Sequence, residues 1–246
     1  MIIDSETKRK LRETNASEPL EAFERFDERA VMPLSHAEVA GLAVDNAYGG
    51  YADAKMQRLV KRAGPRYPQA HLCTVDLAEE RGLDRGVIAG LDVGNYLGRR
   101  LNVAFQGATG SGMRALAESA CRGRYRACHV RMPDLAEQVE AAALKPGGPA
   151  KLVRKYSAYT LLAIDEWLVD KPDEQFRRFL LELMELRYDN AGTAFATQLS
   201  TRERHSCLGG DTIADAILDR IVHDTVWIDT GEFNMRQRHG RSMLES

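Results

Sequence analysis

The chain has 246 residues, of which 44% are hydrophobic and 28% are charged, and its formal net charge is −2. This length and composition are ordinary for one large soluble domain, or for one domain with a smaller appendage. The charge balance excludes a globally basic nucleic-acid-binding protein, so any contact with DNA must come from local patches. The chain has no run of the roughly 18 apolar residues that span a membrane, and its polar start is not a signal peptide; we expect a cytoplasmic protein with no membrane partner.

Four cysteines and six histidines are scattered along the chain, without a C-x-x-C pair or an H-E-x-x-H motif. This spacing indicates neither a disulfide framework nor a zinc site. We therefore expect reduced thiols, as is usual for cytoplasmic proteins.

Apolar spacing predicts that the first 80 residues are helical. The predicted helices cover residues 7–13, 19–30 and 35–63. Ser35 and Glu38 have the spacing of a capping box at the start of the third helix. The Gly49-Gly50 pair is expected to break or bend this helix, and Gly64-Pro65 is expected to end it.

From about residue 83, short apolar runs alternate with helical patterns. The predicted strands are 101–105, 125–131, 160–165, 193–197 and 226–228. The predicted helices are 84–97, 114–122, 133–144, 173–188 and 211–223, with a loop at 145–149. This alternation indicates a mainly parallel α/β sheet. We expect an all-α region at residues 1–80 and an α/β core at residues 81–246.

A glycine-rich stretch, GATGSGMR, follows the first predicted strand and matches the two glycines of the phosphate-binding pattern G-x-x-x-x-G-K-[ST]. Its glycines let backbone N–H groups face a phosphate, and the next helix adds its positive N-terminal end. Met113 replaces the lysine, and the loss of that charge-assisted hydrogen bond costs about 1.5–3 kcal/mol. Arg114 replaces the hydroxyl that would hold Mg²⁺, although a guanidinium can itself bind a phosphate. The candidate nucleotide-binding residues are Gly107, Ala108, Thr109, Gly110, Ser111, Gly112, Met113 and Arg114. The alternative is a glycine-rich turn that binds no ligand.

Two acidic residues, Asp165 and Glu166, follow the buried run at 161–164. This is the pattern of a Walker B strand, in which the first carboxylate orders the magnesium shell and the second polarises the attacking water. The position one strand–helix unit after the glycine-rich loop favours function over the alternative, an acidic strand end that faces solvent.

Two further polar residues are candidates for contact with a nucleotide. Thr197 ends the next strand, where its hydroxyl could contact a γ-phosphate, although ordinary turn chemistry explains it equally well. Arg220 lies off the apolar face of the last helix and could reach a neighbouring subunit's nucleotide. On the residues alone, a salt bridge from Arg220 to Asp215 or Asp219 is the more frequent explanation.

Taken together, these motifs resemble those of the IstB-like and DnaC-like AAA+ ATPases, the helpers of insertion-sequence transposition and their helicase-loader relatives. The resemblance covers nearly the whole chain, and its most specific part is the closing segment ADAILDRIVHDTVWIDTGEFNMR. It implies an AAA+ P-loop core, ATP or ADP with Mg²⁺, and assembly into a homo-oligomer. It also implies that Arg220 acts in trans as an arginine finger and that Arg236 is a nucleotide sensor.

The resemblance implies DNA as a partner, together with a transposase or, as in the DnaC-like relatives, a replicative helicase. The departure at 113 and 114 predicts that hydrolysis is weak or absent. A pseudo-ATPase that keeps the fold and partner surfaces without turnover is therefore a second hypothesis beside the active transposition helper.

An acid-free basic stretch between residues 55 and 66 is the best candidate for binding DNA. Its basic residues are Lys55, Arg58, Lys61, Arg62 and Arg66. The spacing of three and four places Arg58, Lys61 and Arg62 on one helical face that can follow phosphates. A solvated helix surface is the common alternative, and the stretch has no interleaved aromatic residues of the kind that bind single strands. The basic segment at 236–241 is a second candidate.

Overall fold

The computed structural model describes residues 4–13, 17–63, 85–107 and 113–230. These residues form twelve helices and five strands. The helices are α1 (Ser5–Glu13), α2 (Ser17–Arg25), α3 (Glu28–Val31), α4 (His36–Ala63), α5 (Arg85–Val93), α6 (Asn95–Gly98), α7 (Met113–Arg122), α8 (Met132–Ala143), α9 (Gly148–Ser157), α10 (Glu174–Arg187), α11 (Thr201–Cys207) and α12 (Thr212–Val222). The strands are β1 (Asn102–Gln106), β2 (Ala127–Arg131), β3 (Leu161–Asp165), β4 (Gly192–Thr197) and β5 (Thr225–Asp229). None of the described helices is both long enough and apolar enough to cross a membrane.

The chain divides into two compact units between Arg58 and Leu59, inside α4. In the N-terminal unit, α1 packs on α2, and the Lys8 ammonium lies 2.6 Å from the Glu24 carboxylate between them. The boundary expected near residue 80 falls in the stretch 64–84, outside the described residues.

Helix α4 begins as the sequence predicts and continues where a break was expected. The Ser35 backbone N–H donates to Glu38 at 2.7 Å, and the Glu38 N–H donates to the Ser35 hydroxyl at 3.3 Å, which completes the capping box. The helix then runs unbroken through Gly49-Gly50, so the expectation of a break there is wrong. A glycine costs roughly 1 kcal/mol relative to alanine in a helix, which weakens a helix of this length without ending it. The helix ends at Ala63, directly before Gly64-Pro65, as predicted.

The second unit is built on a parallel five-stranded sheet with the strand order β2-β3-β4-β1-β5. Every neighbouring pair of strands is parallel. Helices follow the strands along the chain and cover both faces of the sheet, which confirms the predicted α/β class.

The strand residues alternate between two apolar clusters, one on each face. On β1, Val103 and Phe105 join the cluster that contains α5 and α7. Ala104 points to the opposite face and joins the cluster that contains α8, α10 and α12. Burial on both faces explains why the central strands β1, β3 and β4 are largely apolar in the sequence.

A buried arginine fixes the amino-terminal side of the sheet. Arg187 is 2% exposed and donates hydrogen bonds to the carbonyls of Tyr156 and Tyr159 at 3.0 and 2.8 Å, to the carbonyl of Gly192, and to the Thr193 hydroxyl at 2.8 Å. Burial lowers the pKa of Arg187 to about 10, so the side chain remains charged at neutral pH. Hydrogen bonds from this one guanidinium therefore link the end of α10 to the start of β4, to the last turn of α9 and to the segment after α9.

Two helices of the core were not predicted. Helix α9 follows the expected loop, and its N-cap, Gly147, has the positive φ of 64°. Helix α11 begins at a capping box in which the Ser200 hydroxyl and the Glu203 carboxylate exchange hydrogen bonds with each other's backbone N–H groups.

Candidate functional site

The carboxyl ends of four neighbouring strands bring polar side chains to one edge of the sheet. Arg131 pairs with Asp165 in the register of β2 and β3, and Gln106 pairs with Thr197 in the register of β1 and β4. Neighbouring strands are about 4.8 Å apart, so the end of β3 lies roughly 10 Å from the end of β1. Ligands of open α/β sheets bind in the crevice outside this edge.

Hydrogen bonds fix the end of β1 to β4 on one side and to the residue after β5 on the other. The Gly107 N–H donates to the Thr197 carbonyl at 3.0 Å, and the Gln106 carbonyl accepts from the backbone N–H and the hydroxyl of Thr230 at 2.8 and 3.1 Å. Gly107 has a φ of 140°, a conformation that favours glycine. The chain therefore leaves the sheet at Gly107, which is the first glycine of the predicted phosphate cradle. The rest of that cradle, Ala108, Thr109, Gly110, Ser111 and Gly112, lies outside the described residues.

Met113 is the first residue of α7, and its side chain is buried. It is 2% exposed and packs in the apolar cluster that contains Phe105 and Leu116. The side chain at the lysine position of the pattern therefore contributes to the core. Arg114 is the second residue of α7, and its side chain lies outside the described part of the structure. The positive N-terminal end of this ten-residue helix depends only on its backbone and is retained.

Asp165 places a carboxylate at the tip of β3. One of its oxygens accepts the Glu166 N–H at 3.0 Å, and the other lies 3.3 Å from Nε2 of His129. The Asp165 side chain is 24% exposed, whereas that of His129 is 7% exposed. A partly exposed carboxylate suits Mg²⁺, which prefers oxygen ligands and retains several waters. The residues at this strand tip therefore fit a magnesium nucleotide, although the hydroxyl that the pattern places at position 114 is missing.

Glu166 and the next two residues form a strained turn. Glu166 and Leu168 have positive φ values of 56° and 60°, which are uncommon for residues with a side chain. The Trp167 N–H donates to the Ala196 carbonyl at 2.7 Å, and the Leu168 N–H lies 2.9 Å from Sδ of Met132. Such strain persists where the surroundings hold it, and it is concentrated at functional sites.

An arginine binds the carboxylate of Glu166. Nη2 of Arg131 donates to Oε2 of Glu166 at 2.7 Å, and Nη1 lies 3.3 Å from Asp134. Arg131 is both the last residue of β2 and the N-cap of α8, which fixes its position beside β3. The Glu166 carboxylate raises the pKa of Arg131 through this hydrogen bond.

Thr197 is 4% exposed at the end of β4. Its hydroxyl oxygen accepts the Leu199 N–H at 3.1 Å, which is the turn chemistry considered as the alternative. That bond uses only the hydroxyl oxygen, so the Thr197 hydroxyl can still donate a hydrogen bond to another group.

Arg220 pairs with an acid on another helix. Its guanidinium contacts the Glu185 carboxylate on α10 and donates to the Ala216 carbonyl at 2.8 Å. The expected partners, Asp215 and Asp219, instead lie 2.9 Å from His205 and His223, so that expectation is wrong. The Arg220 side chain is 26% exposed at the end of α12.

The model of the IstB-like ATP binding proteins matches residues 11–243, which is nearly the whole chain. The chain belongs to this family. An insertion sequence ATP-binding protein of Sinorhizobium fredii, y4pL, is 35% identical over 212 residues, which are 85% of this chain and 86% of that protein. The sequence resemblance to IstB-like proteins is therefore confirmed.

Solved structures support the fold of this IstB-like protein. A crystal structure of DnaI has a TM-score of 0.57 at 14% identity, covering 72% of this chain and 98% of that one. The DnaC helicase loader has a TM-score of 0.54 at 16% identity, covering 68% and 99%. At these identities the likeness shows the fold alone, and that fold is the AAA+ P-loop core that we expected.

The basic residues assigned to DNA lie on α4 or beyond it. Lys55, Arg58, Lys61 and Arg62 are all exposed. The unit boundary falls between the first two and the last two. Arg66 and Arg236 lie outside the described residues, and so does the segment 236–241. The DNA-binding role of these residues stays a prediction.

Sequence reasoning missed two residues that the IstB-like fold brings to the acidic pair. Arg131 binds Glu166, and His129 lies beside Asp165. A signal was available for Arg131, because it is a charged residue at the end of a predicted strand, as Asp165 is. Only the strand order shows that these two strand ends are neighbours.

Proposed function

We propose that this IstB-like protein is an ATP-binding AAA+ helper of DNA transposition that assembles on DNA and recruits a transposase. The observation that carries the proposal is the edge of the sheet where Gly107 leaves β1 and Asp165 and Glu166 leave β3. Family membership adds support, because the matched relatives are named as insertion sequence ATP-binding proteins.

In this proposal, residues 107–114 hold the phosphates through backbone N–H groups and the N-terminal end of α7. Asp165 would order the water shell of the magnesium ion, and Arg236 would contact the nucleotide. When bound, magnesium ATP supplies a γ-phosphate with its charge partly neutralised. Thr197 would donate a hydrogen bond from its hydroxyl to that phosphate or to the attacking water. Glu166 would polarise the water, and its carboxylate would do so most freely once it is released from Arg131.

Hydrolysis is expected to be weak because residue 113 supplies no ammonium. The buried position of Met113 supports this, since the side chain lies in the apolar cluster that also contains Phe105. In this proposal, nucleotide binding and hydrolysis are therefore separate properties. The pseudo-ATPase is the second candidate, and the same burial favours it.

A homo-oligomer would supply the missing positive charge from a neighbouring copy. Arg220 reaches the next subunit's nucleotide in this proposal, which requires exchanging its present partner, Glu185, for a phosphate. The side chain is partly exposed and its ion pair is of the kind that contributes about 1 kcal/mol or less, so the exchange costs little.

DNA would be bound by the exposed basic residues of α4 and the stretch that follows it. Neutralising Lys55, Arg58, Lys61, Arg62 and Arg66 should then lower the salt dependence of duplex binding. An unchanged salt slope would show that these residues only form a solvated surface.

The experiment that tests the biological role is sedimentation of the purified protein with ATP, duplex DNA and either of two partners. The partners are a transposase of an insertion sequence and a replicative helicase. ATP-dependent co-sedimentation with the transposase supports the proposal. Co-sedimentation with the helicase alone supports the DnaC-like alternative, a helicase loader. Equal recovery with and without nucleotide would contradict ATP-dependent recruitment, and phosphate release in the same samples separates an active ATPase from a pseudo-ATPase.

A further inference from the structure

Helix α4 carries an exposed face that changes from aromatic to basic along its length. The face consists of Val44, Tyr48, Tyr51, Lys55 and Arg58, which we term the tyrosine–arginine stripe. Intervals of four, three, four and three residues place these side chains on one side of a helix. All five belong to the N-terminal unit.

The stripe exists because α4 is continuous. A break at Gly49-Gly50 would have separated the tyrosines from the basic residues, but the helix passes through both glycines. An added Cβ would contact nothing at either glycine, so the backbone at the middle of the stripe is open. The aromatic residues missing from the basic stretch itself therefore lie one and two turns before it on the same face.

The side chains of the stripe are turned outward. Val44 is 60% exposed, Tyr48 is 56% exposed and Tyr51 is 49% exposed. Helix α4 buries other residues in this unit, among them Val39, Ala43 and Ala52, which do not belong to the stripe. About half of each tyrosine side chain therefore faces solvent, whereas Val39, Ala43 and Ala52 are buried.

The charge along the stripe has one sign. Asp45 and Asp53 are the acidic residues of α4 in this stretch, and they follow members of the stripe by one and two residues. Those offsets turn them away from the face. Lys55 and Arg58 thus present two positive charges to a ligand with no carboxylate between them.

We propose that the tyrosine–arginine stripe binds unpaired nucleotides of DNA, with bases stacked on Tyr48 and Tyr51 and phosphates at Lys55 and Arg58. A tyrosine ring needs an open base face, which a base-paired duplex does not offer and a single strand or an opened duplex does. The stripe from residue 44 to residue 58 is about 21 Å long at 1.5 Å per residue. This inference rests on the proposed function, in which DNA is the polymer bound.

A second copy of the chain is a weaker occupant for this face. The intervals of four and three also suit helix pairing, and the apolar half could pack against another helix. However, side-by-side parallel copies would set Lys55 and Arg58 against the same cations. The stripe is complementary to a polyanion along its basic half and to flat rings along its aromatic half.

The test measures fluorescence anisotropy of a labelled oligothymidylate and of a labelled duplex with the full-length protein. Tyr48→Leu with Tyr51→Leu should weaken oligothymidylate binding about tenfold or more while changing duplex binding little. Tyr48→Phe with Tyr51→Phe should retain binding, because stacking needs the ring and not the hydroxyl. Arg58→Gln should reduce the salt slope for the oligonucleotide by about 0.7.

Two variants serve as matched controls. Tyr188→Leu changes an exposed tyrosine of the other unit, and Arg25→Gln changes an exposed arginine of α2. Neither should change oligothymidylate binding. Equal affinity of the leucine variant and the wild type for oligothymidylate contradicts the proposed role of the stripe. Light scattering that shows a dimer in the wild type and a monomer in that variant contradicts it too. If the wild type binds duplex but not oligothymidylate, the proposed binding of unpaired nucleotides by the stripe is wrong and the proposed DNA function stands. If the wild type binds neither DNA, both fail.

Discussion

The guanidinium of Arg131 and the carboxylate of Glu166 form an ion pair of 2.7 Å between the ends of two adjacent parallel strands. Glu166 follows β3 directly and has the position of the water-polarising acid in the proposed mechanism. Its carboxylate is thus held beside β2, by a residue that also caps α8.

Arg131→Gln should speed ATP hydrolysis, since it releases the Glu166 carboxylate. Both side chains are about a third exposed, so the pair contributes at most about 1 kcal/mol and the increase should be no more than about fivefold. The measurement is phosphate release in the background of Met113→Lys with Arg114→Thr, where turnover is easiest to detect. Arg178→Gln, which removes an exposed arginine paired with Glu174, is the control. A slower rate in Arg131→Gln would show instead that Arg131 acts in the reaction.

Met113→Lys combined with Arg114→Thr should tighten nucleotide binding. The restored ammonium contributes about 1.5–3 kcal/mol, which is roughly tenfold or more in Kd. Because Met113 is 2% exposed, the lysine should also lower the melting temperature of the nucleotide-free protein. A fluorescent-nucleotide titration with and without Mg²⁺ measures the first effect, and thermal unfolding measures the second. Met113→Leu, which keeps the apolar volume, should change neither the nucleotide affinity nor the melting temperature. Unchanged nucleotide affinity in the double variant would mean that the glycine-rich turn does not form a phosphate cradle.

Arg187→Met should lower the free energy of unfolding by about 3 kcal/mol or more. The change leaves carbonyls of Tyr156, Tyr159 and Gly192 without their donor, and an unpaired buried polar group costs about 1–3 kcal/mol. Chemical denaturation measures the loss. Arg178→Met, on the exposed side of the same helix, should stay within about 0.5 kcal/mol of the wild type. Similar small losses for both variants would contradict the structural role of Arg187.

Cys121 should resist alkylation in the native protein. Its side chain is fully buried, and burial raises the pKa of the thiol to about 11. The neutral thiol is therefore kept in the folded state over a pH range in which the unfolded chain ionises, so this group's contribution to stability falls as the pH rises from about 9 to about 11. Iodoacetamide labelling with mass spectrometry at pH 8 should modify Cys121 only after denaturation. Rapid native labelling would place Cys121 at an accessible site.

The sequence predicts the strands of the core well because burial on both sides leaves continuous apolar runs, as at Leu161–Asp165. Asp165 and Glu166 are recognisable as candidate residues for the same reason, since a carboxylate pair at the end of such a run is conspicuous. Helix α11 was missed although its signal, Ser200 followed by Glu203, was readable. Its seven residues are too few for an apolar period to show.

Other features depend on tertiary contacts that no local pattern encodes. Arg131 acquires its partner only through the order of the strands, and Arg187 acquires its carbonyl partners only through the packing of α10 against β4 and α9. The Gly49-Gly50 pair is the opposite case, in which a strong local breaker signal is overridden within a long helix. That override joins Tyr48 and Tyr51 to Lys55 and Arg58.

The central claim is that backbone groups around the first glycine hold a nucleotide although residue 113 is not a lysine. Isothermal titration of the wild-type protein and of Gly107→Val with ATP and Mg²⁺, paired with phosphate release, tests it most directly. The account predicts saturable binding by the wild type, loss of binding in Gly107→Val because valine disfavours the φ of 140°, and little or no turnover. Absence of wild-type binding at millimolar ATP, or turnover at the rate of an ATPase with the intact lysine, would contradict it.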